Sequence, residues 1–151
     1  MKVVADTDIL SIFARIGRLD ILNELFETVI VPPSVKVELA KGKIDIKKLY
    51  PEFVQLTTIE LKNLKDAHSE LDKGEKECYV IARSRNIPLV SNEKIVHRLC
   101  KEDGTSYFSL PRILRLAITD DLVTRNEARQ LVNSIEKEEH TIIKNKDEIF
   151  R

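Results

Sequence analysis

The sequence carries no net charge to announce a partner. Lys plus Arg equals Asp plus Glu, at 25 each in 151 residues. A globally basic surface is excluded, so any binding of nucleic acid must rest on a local patch. Cysteine is scarce. Cys78 and Cys100 stand alone, with no Cys-x-x-Cys and no Cys/His spacing. A disulfide framework and a structural zinc site are not expected, and both thiols read as reduced core residues. His68, His97 and His140 also lack zinc-ligand spacing and read as surface residues. No apolar run approaches the ~20 residues that span a bilayer. Met1-Lys2-Val3-Val4-Ala5-Asp6 meets an acid before any long apolar stretch, so no signal peptide is expected and the chain reads as cytoplasmic. There is no internal repeat and no low-complexity linker.

What is present is a single domain's worth of chain, read as one unit over 1–151. A chain of this size buries roughly 70% of the surface it exposes when unfolded. The apolar share of 42% suits a globular core, while the charged share of 33% is above the usual level of about 25%. Short apolar runs alternate with helical stripes. Lys2 to Ala5, Thr28 to Val31, Val54 to Ile59, Pro88 to Ser91 and Ser106 to Ser109 read as strands. Helices are expected over 7–16, 19–26, 33–39, 60–71, 75–85, 92–100, 111–118 and 125–136, with 42–53 a loop holding one helical turn. The charged tail from Lys144 is expected to fray. Such alternation implies an α/β fold, with a central parallel sheet and helices on both faces.

Sites in open parallel sheets form at the carboxyl ends of strands. Asp6 ends the first expected strand, and Glu93 follows the strand closing at Ser91. Glu38 lies on the helix entered after the second strand, and Glu77 near the start of the helix at Gly74. If those strands are neighbours, acids from four distant segments meet on one rim. Carboxylates so gathered repel unless protonated or neutralised, and Mg2+ or Mn2+ is the usual neutraliser of an oxygen-only site. Such an ion activates water and stabilises the leaving oxygen in phosphodiester hydrolysis. Each acid alone also fits a plainer role: Asp6 as a helix N-cap, and Glu75, Glu77 and Glu93 as partners of a helix macrodipole. Asp6-Thr7-Asp8 also has the form of an aspartyl-phosphatase pair, but no companion lysine motif accompanies it.

The motifs resemble those of PIN domains. Val3-Val4-Ala5-Asp6-Thr7 resembles the opening motif, and Val31-Pro32-Pro33-Ser34-Val35-Lys36-Val37-Glu38 the second. Gly74-Glu75-Lys76-Glu77-Cys78 resembles the third, as written in a Gly-Glu-x-Glu-Ala subgroup, and Pro88-Leu89-Val90-Ser91-Asn92-Glu93 the fourth. The order and spacing fit residues 1–110, and 110–151 resembles the helical extension of prokaryotic members. The resemblance implies a metal-dependent endoribonuclease acting on RNA, as in the toxins of VapBC toxin–antitoxin pairs. It places Asp6, Glu38, Glu77 and Glu93 as catalytic metal ligands, with Thr7, Glu75 and Asn92 beside them. It also implies an antitoxin protein and a homodimer as partners. One departure stands out: Glu93 occupies a place where Asp is usual, and its extra methylene moves the carboxylate. A weak or inactive PIN domain, serving as an RNA- or protein-binding module, is therefore the second reading. Lys94, Arg98 and Lys101 share one helical face that suits a phosphate backbone. The apolar stretch from Ile113 to Ile118 reads either as core or as a dimer surface.

Overall fold

Five parallel strands form one sheet in the order β3-β2-β1-β4-β5, in a computed structural model that describes residues 1–151. They are β1 Lys2–Ala5, β2 Thr28–Val31, β3 Glu52–Phe53, β4 Leu89–Val90 and β5 Tyr107–Phe108. The chain steps from β1 outward through β2 to β3, then returns across β1 to β4 and β5. Val4 pairs with Ile30 on one side and with Leu89 on the other. β1 and β4 are thus neighbours, and the direction of winding reverses between them. That reversal opens a crevice beyond their carboxyl ends.

Nine helices surround the sheet: α1 Thr7–Arg15, α2 Leu19–Leu25, α3 Pro33–Lys41, α4 Thr58–Lys65, α5 Lys73–Arg85, α6 Lys94–Asp103, α7 Leu110–Thr119, α8 Arg125–Glu139 and α9 Lys146–Ile149. α5 packs on β1 and β4 and against α3 and α4, while α2 packs on β2 and α7. Val3, Val4, Val31, Leu89 and Val90 are nearly without exposure, as expected of parallel strands covered on both faces. One core of 40 buried residues runs from Val3 to Ile149. Cys78 and Cys100 are buried free thiols in it. Ile113, Leu114 and Ala117 are also fully buried, so the apolar stretch of α7 is spent on the core rather than on a dimer surface. No helix is long and apolar enough to cross a membrane.

Three expectations are corrected. The strand expected over 54–59 lies earlier, at Glu52–Phe53, because Thr57 starts a helix. Its hydroxyl accepts from Glu60 N at 3.1 Å, and Glu60 Oε1 accepts from Thr57 N at 2.8 Å. This reciprocal capping box is a stronger local signal than the β-branched run. α4 then stops at Lys65, short of Leu71. The tail does not fray: α9 packs against α7, with Ile143 and Ile149 buried.

Glu60 also fixes how α4 sits on α5. It is 1% exposed, and its carboxylate accepts from Arg85 Nε at 2.9 Å, from Arg85 Nη2 at 3.0 Å and from the Ser84 hydroxyl. These contacts, Arg85 foremost, hold the carboxyl down at about 2. A depressed carboxyl contributes stability above its unfolded value, and that stability is lost as pH falls through the folded value. Arg85→Ala should therefore cost about 2–3 kcal/mol at pH 7, since it strands a buried charge. The deficit should shrink as pH falls from about 4 towards 2. Urea unfolding of both proteins across that range measures it, and a pH-independent deficit would contradict the assignment.

Candidate metal centre

Asp6 stands where β1 becomes α1, on the rim of the crevice. Its backbone N–H donates to Val90 O at 3.0 Å, locking it to β4. The residue is 5% exposed. Oδ1 accepts from Thr7 N at 2.7 Å, and Oδ2 accepts from the Ser91 hydroxyl at 3.5 Å. Thr7 reaches a second acid, its Oγ1 donating to Glu38 Oε2 at 2.5 Å. One threonine thus ties the carboxylate of β1 to that of α3.

Gly74, in the first turn of α5, lies against Glu38. A Cβ built there would stand 2.8 Å from Glu38 Oε1. Glycine lets the Glu38 carboxylate lie against the helix backbone here, and a larger residue would make that side chain shift. Next along α5, Glu75 shares a capping box with Asp72: Asp72 Oδ1 accepts from Glu75 N at 2.8 Å, and Glu75 Oε1 accepts from Asp72 N at 2.9 Å. The box uses one Glu75 oxygen and leaves the other free. The charges of Asp72, Asp8 and Glu38 all bear on Glu75 and, with burial, push its carboxyl up.

Glu77 reaches across to the start of α3. Its Oε1 accepts from Ser34 N at 2.8 Å and its Oε2 from the Ser34 hydroxyl at 2.5 Å. Ser34 is the second residue of α3, with a backbone N–H that has no partner inside the helix, and Pro32 at the N-cap has no side chain to offer it. Glu77 is therefore the cap of α3, supplied from α5. Residues two apart on a helix do not share a face. With Glu77 committed to Ser34, it is Glu75 that looks towards Asp6.

Glu93 is the N-cap residue of α6 and makes no side-chain cap. Its carboxyl instead meets that of Asp8 and is pushed up to about 8, chiefly by that contact and then by burial. Glu93 N donates to Ser91 Oγ at 3.1 Å, so Ser91 braces both Asp6 and the start of α6. Asn92, expected to orient Glu93, makes no hydrogen bond to it and lines a neighbouring cavity. His97, expected at the surface, is half-buried: its Nε2 donates to Ser91 O at 2.6 Å and its ring stacks on Tyr107.

Asp6 is raised to about 7, first by burial and then by Glu75, Asp72 and Asp8, against the lowering effect of Thr7 N. The rim so gathers Asp6, Asp8, Glu38, Asp72, Glu75 and Glu93. No three of these are drawn in to metal-ligand distance. Hydroxyl and amide donors hold Asp6, Glu38, Asp72 and Glu75 in place. Oxygen-only donors, burial and the space preserved by Gly74 fit a hard divalent cation. Asp8 was noted in the sequence only as half of an Asp6-x-Asp8 pair, and Asp72 was not singled out, although the capping pattern Asp72-x-x-Glu75 was a visible signal.

A family model described as PIN domain matches residues 2–146. The chain belongs to the PIN domain family. No curated protein matches it. PIN domains are generally nucleases, and they usually use divalent metals. In this PIN domain the acidic rim lies where the winding of the sheet reverses, with all four motifs on it.

Raised carboxyls lend stability that is complete below their unfolded values and lost as pH rises through the folded ones. Metal-free protein should therefore lose stability between about pH 5 and 8, by on the order of 3 kcal/mol from Asp6. Asp6→Asn should remove the Asp6 share of that slope, which ends near pH 7, and leave the share that Glu93 carries up to about pH 8. Thermal unfolding in chelator measures it, and an equal slope in both proteins would contradict the assignment.

Proposed function

We propose that this PIN domain is a metal-dependent endoribonuclease. The observation that carries the reading is the rim itself, where a buried Asp6 at about 7 is linked through Thr7 to Glu38 and ringed by further acids. Asp6, Glu38, Glu75 and Glu93 would hold Mg2+ or Mn2+, with Asp8 beside Glu93. When bound, the ion supplies activation of water and stabilisation of the leaving oxygen. The chain's own residues supply the rest. Thr7 fixes two carboxylates in one orientation, and Ser91 braces Asp6 against α6. RNA is the substrate favoured by the family, and a toxin of a toxin–antitoxin pair is the role such activity would serve.

A second reading is a non-catalytic PIN module that binds RNA or protein. Glu93 favours it, because its longer side chain sets it apart from the Asp usual at that position.

Asp6→Asn should reduce cleavage of a generic single-stranded RNA by at least 10³-fold in Mn2+, on the order expected when metal-dependent activation of the nucleophile is lost. The variant should remain folded by circular dichroism. Single-turnover gel assays give the comparison, and equal cleavage by clean preparations of both would overturn the nuclease assignment.

A further inference from the structure

Beside the acidic rim lies a cavity of about 390 Å³, with Asp8 and Asn92 on its border with the carboxylates. Its charged lining is Asp8, Arg15, Lys94, Glu139, Lys144 and Glu148. Arg15 is neutralised within the lining, its Nη1 lying 3.0 Å from Glu139. Lys94 and Lys144 have no carboxylate partner within ion-pair distance. Both line the same cavity, and each bears on the other's charge. Two such charges cost free energy unless an anion lies between them.

Local structure does not explain either lysine. Lys94 is the first residue of α6, where the helix dipole disfavours a cation, and its N-cap has no side-chain bond. Lys144 stands in the segment between α8 and α9, just before Asn145, which turns the chain at φ 60°. The cavity adjoins a second one of about 540 Å³, the two sharing Lys94, His97, Ser109, Asn145 and Glu148. Arg98, Lys101 and Arg112 line the outer cavity. Arg98 is shared with Glu70 and Glu102, while Lys101 and Arg112 have no acidic partner. A string of cations therefore leads away from a cluster of anions. A phosphodiester chain complements both, with one phosphate at the acidic rim through its cation and the next at the lysines.

We infer that Lys94 and Lys144 form a clamp for the backbone phosphate adjoining the scissile one, with single-stranded RNA leaving along Lys101 and Arg112. The clamp rests on the nuclease reading for its substrate, and it assigns a binding role to the segment after α8. Glu148, also on the cavity wall, faces the path and tempers its attraction for anions.

The test is fluorescence anisotropy of a labelled eight-nucleotide oligouridylate in chelator, on the Asp6→Asn background, so that no cleavage intrudes. Lys144→Ala should weaken binding about fivefold or more and lower the log–log salt slope by about 0.7, and the Lys94→Ala/Lys144→Ala double variant by about 1.4. Lys144→Arg should retain affinity. Lys62→Ala/Lys65→Ala, on the distant α4, should change nothing beyond a small uniform loss. An unchanged affinity and slope in the double variant would overturn the clamp, as would absence of oligouridylate binding by the parent. So would inorganic phosphate stabilising the parent through Lys144 while oligouridylate affinity ignores that residue. Failure of wild type to cleave any RNA, with this binding pattern intact, would sink the nuclease reading and leave the clamp standing.

Discussion

A carboxyl group buried at the end of a central strand is the constraint on which this molecule is organised. Asp6 cannot move, because its backbone is bonded to β4 and its side chain to Thr7 N. Burial alone raises the cost of ionising it, and Glu75, Asp72 and Asp8 raise the cost further. A fold that held such a group for stability alone would surround it with cations. This one surrounds it with acids and places the nearest unpaired lysines in the adjoining cavity. Acids crowd the strand ends, and Lys94, Lys101, Arg112 and Lys144 line the adjoining cavities among Glu102, Glu139 and Glu148, while the chain as a whole is neutral.

The helices that bring the acids in are themselves set by carboxylates. Glu77 caps α3 and so fixes the helix that carries Glu38. The Asp72–Glu75 box sets the start of α5 and aims Glu75 at the rim. Glu60, gripped by Arg85, anchors α4 to the far end of α5. Acids of the same type thus divide between two duties. Glu60 and Glu77 are spent on joining helices, while Asp6, Glu38 and Glu75 have donors of their own and also stand among other acids on the rim.

Much of this was legible beforehand. The alternation of β-branched runs with helical stripes gave the parallel sheet, and the four motifs gave the strand ends that face the crevice. The misread strand at 54–59 came from weighing Val54 and Ile59 above the capping signal Thr57-x-x-Glu60. Glu77 raises a different question. Two acids two residues apart satisfy the same motif, and the bond from Ser34 to Glu77 links two helices that are far apart in the chain, a contact no local pattern announces. Lys144 was hidden because a charged tail reads as frayed, whereas Ile143 and Ile149 pin it down by burial. Local propensity carries none of these long-range choices.

The central claim is that the gathered carboxylates await a divalent cation and that Glu75, rather than Glu77, is among its ligands. Thermal unfolding with and without manganese, in chelator-washed buffer at pH 7.5, tests it on wild type, Glu75→Gln and Glu77→Gln. A cation at about 100 times its dissociation constant adds roughly 2.7 kcal/mol to a protein that holds it. Wild type should gain that stability and Glu75→Gln should lose most of the gain. Glu77→Gln should start less stable, through loss of the α3 cap, yet keep a manganese response. A response lost in Glu77→Gln and retained in Glu75→Gln, or absent from all three proteins, would contradict the account.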